Sequence, residues 1–210
     1  NAQSKTFTCT PRTHSHTHAH MAVPEEAVLL LVLGDVQQHL DDVIAMSGHA
    51  SDDVWVIVER NTAHFNGATW TLVPAPTSNA LRAVWVDPST GRAFTVGGFA
   101  DVTLFQSPPG AAGPWTSAAN VPSSTAGIGG VPGDPTVPGD PSTLFLTGTG
   151  SVVRIAGDQQ DQLMNPSIDI VRMWGSAEDA IWGIGIKRSG GGPTLYFYDG
   201  VAWADVGCFS

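Results

Sequence analysis

Between residues 40 and 206 the chain reads as short apolar runs separated by turns rich in Gly, Asp, Asn and Ser. Runs of this length bounded by turn residues predict strands, and no stretch holds a 3.6-residue apolar period long enough for a major helix. The runs also repeat. Asp42 to Trp55 lies over Asp169 to Trp182 without a gap, matching Asp, Met, Gly, Ala, Asp and Trp. Downstream, His64-Phe65-Asn66-Gly67-Ala68-Thr69-Trp70 matches Phe197-Tyr198-Asp199-Gly200-Val201-Ala202-Trp203, after six extra residues around the Ser189 to Pro193 loop.

Trp55 and Trp182 are 127 residues apart, three times about 42, so the spacing predicts two further copies between them. Leu81 to Val86 with Arg92 to Gly97 begins the second, which Trp115 is expected to close. The third is degenerate: Ala126 to Val131, Thr143 to Gly148 and Ser151 to Ile155, with Phe145 near the tryptophan position. A tandem hexamer, Val131 to Thr136 and Val137 to Ser142, interrupts it, and its prolines lack the donors a ladder needs, so it reads as a surface loop. Asn66-Gly67 and Asp199-Gly200 supply the positive φ of tight hairpins. Four strands per unit of 40 to 45 residues is the plan of a propeller blade. The fold class expected is therefore all-β, a propeller of about four four-stranded blades at about 40–75, 80–117, 124–165 and 167–206. An extended segment over 1–39 precedes it and a short tail, 207–210, follows. The second runs, Val54 to Val58 and Ile181 to Ile186, are apolar enough to be covered on both faces by neighbouring blades.

The units resemble a family. Asp53-Val54-Trp55-Val56-Ile57-Val58 with His64 to Trp70, and again Asp179 to Gly185 with Phe197 to Trp203, are similar to tryptophan-bearing propeller repeats common in secreted proteins of myxobacteria and their relatives. The resemblance covers residues 40 to 206, implies architecture, and is nearly silent on activity. Such propellers typically have six to eight blades. Four can close in the manner of hemopexin-like propellers, in which a disulfide joins the first and last blades.

Composition narrows the setting. Gly 24 and Pro 15 of 210 residues favour turns over long helices. Nineteen acidic against nine basic residues give a net charge of -10, which repels phosphate backbones and excludes nucleic acid as a partner. The longest apolar run, Ala27, Val28, Leu29, Leu30, Leu31, Val32 and Leu33, falls far short of a membrane-spanning helix. It reads instead as a lone strand outside the four units whose edge needs a partner, making it the candidate self-association strand. A start at Asn1 and only two lysines suit a secreted, extracellular or cell-surface protein. Cys9 and Cys208 read as one disulfide, against the alternative of two unrelated thiols.

His14, His16, His18 and His20 alternate. In an extended chain they would line one side about 7 Å apart, where neutral imidazoles suit copper(II) or zinc(II). The competing reading is a polar tail. Asp41, Asp42, Asp52, Asp53, Asp134, Asp140, Asp158 and Asp161 sit beside turns and read as turn caps rather than calcium ligands. The tryptophans read as packing residues rather than sugar platforms. No nucleophile elbow, zinc-protease or phosphate-loop motif is present, and Gly127 to Gly130 is a poor dinucleotide loop inside a strand, so no enzyme is expected. Two functions follow as expectations: a structural or interaction module binding itself, a surface protein or a glycan, or an extracellular transition-metal binder.

Overall fold

The computed structural model describes residues 43–58, 61–98, 102–133, 142–163, 168–190 and 192–207. They form sixteen strands in four antiparallel sheets, each a meander of four consecutive strands, with no helix among them. The first sheet is β1 (Val43–Ala50), β2 (Asp53–Val58), β3 (Asn61–Phe65) and β4 (Trp70–Val73). The second is β5 (Leu81–Val86), β6 (Ala93–Gly97), β7 (Val102–Gln106) and β8 (Thr116–Val121). The third is β9 (Thr125–Val131), β10 (Thr143–Gly148), β11 (Ser151–Ala156) and β12 (Gln159–Leu163). The fourth is β13 (Ile168–Ala177), β14 (Ala180–Lys187), β15 (Pro193–Tyr198) and β16 (Trp203–Asp205). The sheets are the blades of a propeller, and the first strand of each lies innermost.

The duplication seen in the sequence is a duplication in space. Trp55 pairs with Ser47 and His64 exactly one register step from where Val54 meets Phe65, and Trp182 sits likewise between Trp174 and Phe197. Both third-to-fourth hairpins use the same turn. Asn66 Oδ1 accepts from the Ala68 and Thr69 amides at 3.1 and 2.9 Å, and Asp199 Oδ1 from those of Val201 and Ala202 at 3.0 and 2.9 Å. Gly67 and Gly200 hold φ of 86° and 88°, which only glycine adopts freely. An aromatic pair closes each hairpin, Phe65 with Trp70 and Tyr198 with Trp203, both with ring centroids 5.2 Å apart.

Three seams join the blades, and alternation along each strand decides which side faces which seam. Trp55 and Ile57 face forward to Leu81, Val84, Val86 and Ala93 of the second blade. Phe94, Val96 and Leu104 face forward to Leu144, Leu146, Val153 and Ile155 of the third. Phe145 and Val152 face forward to Ile168, Ile170, Ile181, Tyr196 and Tyr198 of the fourth. Polar staples cross the same seams. Ser47 Oγ accepts from the Val86 amide at 3.0 Å, and Arg82 donates to the Ser123 and Thr125 carbonyls at 3.3 and 2.5 Å. At the third seam Arg154 pairs with Glu178 at 2.6 Å.

Two expectations change. Trp115 does more than close the second blade: it packs edge-on against Trp55 at 5.0 Å and donates its indole N–H to Thr62 Oγ1 at 3.1 Å, so it ties the second blade back to the first. The strand β14 is covered on one face only, burying Ile181, Gly183 and Gly185 while Ile186 is exposed. The reason is that inner strands pack β1 on β5, β5 on β9 and β9 on β13, whereas β13 and β1 make no comparable packing among the described residues. Among the described residues no sheet packs on the forward side of the fourth blade. Cys9, Cys208, the histidines at 14, 16, 18 and 20, and Ala27 to Leu33 all lie outside the described residues.

Candidate functional site

The four inner strands line one axial channel. Its walls are Ile44 and Met46 from β1, Arg82 and Trp85 from β5, Ile128 from β9, and Val171 and Arg172 from β13, around a cavity of about 330 Å³. Pro88, Pro132, Met173 and Trp174 continue the wall along the axis. Ile44, Met46, Val171 and Trp174 are each between 42% and 50% exposed, a high share for such large apolar groups gathered on one surface. No acidic residue lines this channel among the described residues, although the chain is strongly acidic overall. Of its two arginines, Arg82 is spent on backbone carbonyls, while Arg172 is exposed and, among the described residues, bonds only the adjacent Val171 carbonyl, at 2.9 Å. The channel thus offers apolar contact and one available guanidinium.

Two further polar clusters are built into the scaffold. Asp53 is buried and takes both imidazoles near it: His64 Nε2 approaches Oδ1 at 2.8 Å and His49 Nδ1 approaches Oδ2 at 3.0 Å. His64 is itself buried, with its ring 4.6 Å from that of Trp55. Sequence reading took Asp53 as a turn cap and missed this clamp. The signal was present in the hairpin register, which places His64 across from Trp55 and one side chain from Asp53. With both carboxylate oxygens engaged, the cluster is a structural bridge of β1, β2 and β3. Among the described residues no group of three or more His, Cys, Asp or Glu is placed to hold a metal ion.

Asp87 is the second cluster. Its Oδ1 accepts from the Ser89 amide and hydroxyl at 2.9 and 2.7 Å, and Oδ2 from the hydroxyls of Thr90 and Ser142, each at 2.7 Å. Burial pushes this carboxyl up, but the hydrogen bonds from Thr90, Ser142 and Ser89 outweigh it and hold Asp87 below the usual carboxylate value. A carboxyl depressed in the folded state stabilises the fold above its unfolded pKa near 3.9, and that contribution is lost as pH falls through the lower folded value. Wild-type protein is accordingly expected to lose stability below about pH 3.9. Asp87→Asn should flatten that dependence in urea melts taken at successive pH values, and an unchanged acid limb would show that Asp87 is not among the groups responsible. Ser142 lies across the second seam, so protonation there loosens the joint between blades two and three.

Comparison with solved structures agrees with the fold. The chain is similar to the extracellular domain of a one-component system protein, BT4673, from B. thetaiotaomicron, with a TM-score of 0.53 at 13% identity over 78% of this chain and 22% of that one. It is similar also to YCF48 from Cyanidioschyzon merolae, with a TM-score of 0.50 at 15% identity over 73% of this chain and 53% of that one. Both neighbours are propeller-like. The chain thus spans about a fifth of the first and about half of the second. No protein-family model matches the chain, and no curated protein does so at a significant level. No helix among the described residues is long and apolar enough to cross a membrane.

Proposed function

We propose that this protein is a non-catalytic β-propeller interaction module, working outside the cell or at its surface, whose axial channel contacts a partner protein or glycan. The observation that carries the reading is the channel wall: Ile44, Met46, Val171 and Trp174 are exposed together beside Arg172, on strands held rigid by the seams. Aromatic, methionine and arginine side chains are those enriched at protein interfaces. The buried ionisable groups support a scaffold role, since Asp53 and Asp87 spend their oxygens on internal partners. The sparse lysine content and the extracellular setting named for one structural neighbour favour the location.

The test is covalent footprinting of the purified chain with and without a cell-surface fraction of proteins and glycans. Protection of Ile44, Met46 and Val171 is expected, together with loss of capture in Met46→Asp. Protection confined to the blade rims, or capture indifferent to Met46→Asp, would overturn the reading. The alternative, transition-metal binding by His14, His16, His18 and His20, rests on their alternation alone. Copper(II) titration of the chain against a His16→Ala, His18→Ala variant decides it.

A further inference from the structure

The second seam is not filled along its whole length. At the end where the β5–β6 turn approaches the start of β10, blades two and three enclose a cavity of about 330 Å³. Phe94 and Leu104 of blade two and Leu144 and Ile155 of blade three wall it, and the short side chains of Ala118 and Ala119 on β8 leave the space open. The cavity shares no residue with the axial channel. Phe94 lines the cavity, whereas Trp85, whose ring centroid lies 5.8 Å from that of Phe94, lines the channel. Cavities of this size, with apolar walls and a few converging polar groups, are the usual form of a small-molecule site.

The polar part of the wall contains an incompletely used guanidinium. Arg92 lines the cavity, and among the described residues its side chain bonds only Gln106 Oε1, from Nη1 at 2.9 Å. Its Nε is buried with no acceptor among the described residues, and none of the ion pairs among them includes it. A buried donor without a partner is costly, and the edge formed by Nε and Nη2 is one on which arginine takes a carboxylate in two parallel bonds. Asp87, the other charged group of the wall, has both oxygens engaged by Ser89, Thr90 and Ser142.

We propose that this cavity binds a straight-chain fatty acid of medium length, its carboxylate on the Nε and Nη2 edge of Arg92 and its hydrocarbon against Phe94, Leu104, Leu144 and Ile155. The charges select the class. One guanidinium balances one negative charge, whereas Asp87 on the same wall and the net charge of -10 oppose a phosphate dianion. A neutral sugar would leave the guanidinium without a counter-charge and would set its hydroxyls against apolar side chains on both sides of the seam. The inference goes beyond the interaction-module reading and uses none of the channel residues.

Isothermal titration calorimetry of the 210-residue chain with sodium octanoate is the test. A dissociation constant below about 1 mM is expected for a ligand of this size. Arg92→Gln should weaken octanoate at least about tenfold, as loss of a charge-assisted hydrogen bond does, and should leave binding of uncharged 1-octanol unchanged. Retained octanol binding also shows that this variant is folded. Ala118→Phe, at an exposed position of the lining, should weaken both probes by occupying the space, with circular dichroism confirming the fold. No binding of octanoate by the native chain at about 5 mM, equal binding by Arg92→Gln, or inorganic phosphate binding more tightly than octanoate would each overturn the proposal. Octanoate binding is read independently of capture by the channel, so failure here is distinguishable from failure of the proposed function.

Discussion

Trp55→Ala should cost about 3–5 kcal/mol of folding stability, while Trp182→Ala at its duplicated position should cost about 1 kcal/mol. Trp55 is fully buried in the first seam, stacked near His64 and braced edge-on by Trp115 of the next blade. Its removal leaves a cavity bounded by two blades, and neither wall can collapse without breaking strand pairing. The indole N–H of Trp55 is buried without a partner, so packing alone holds the ring and no hydrogen bond is lost with it. Trp182 occupies the equivalent register but keeps one principal aromatic contact, Phe197 at 4.8 Å, and remains partly open. Urea denaturation measures both. Equal losses at the two positions would mean that the fourth blade's forward face is as well covered as the first's.

That pair of residues also shows how far the sequence carries. The repeat of Asp, Trp and Asn/Asp-Gly was enough for the strands, the hairpins and the count of sheets, because each depends on local chemistry that reads the same in every copy. Phe145 could be assigned to the tryptophan position even in the degenerate third unit, since it holds the same register. Coverage was not legible. Val54 to Val58 and Ile181 to Ile186 have nearly the same apolar character, yet β2 is buried throughout and β14 is buried on one side only. The difference lies in whether another sheet packs on the forward side among the described residues, which no feature of the strand encodes. Trp115 shows the same limit, because its contact with Trp55 and Thr62 spans a seam, and local spacing says nothing about which blade a loop side chain will reach.

The site divides along the same line. The channel residues Ile44, Met46, Val171 and Arg172 come from the first and last sheets and meet only because four innermost strands share an axis. Nothing in their own neighbourhoods distinguishes them from strand residues that are buried elsewhere. The clamp of Asp53 by His49 and His64 was closer to hand, since all three fall within one hairpin and its leading strand. The histidine alternation at 14 to 20 and the two cysteines, the most conspicuous chemistry in the sequence, lie outside the described residues.

The glycines of β9 give the second large effect. Gly127 to Gly130 make a poor nucleotide loop because each serves packing: Gly129 faces Met173 of the fourth blade and Gly130 faces Trp85 of the second. Gly130 holds no left-handed φ, so any cost of substitution is steric rather than conformational. Gly130→Val should destabilise the protein by about 1–3 kcal/mol or more, the usual range for overpacking, because the clash is with a large ring wedged in a seam. In a Trp85→Ala background the same change should become neutral or stabilising, since valine favours a strand and would refill the vacated space. The two substitutions should therefore couple strongly, toward the upper end of the 0.5–3 kcal/mol seen for residues in contact. Gly192→Ala, where an added Cβ meets nothing, should shift stability by less than about 0.5 kcal/mol. Additive losses in the Trp85→Ala, Gly130→Val double variant would mean that the tryptophan does not rest on that glycine.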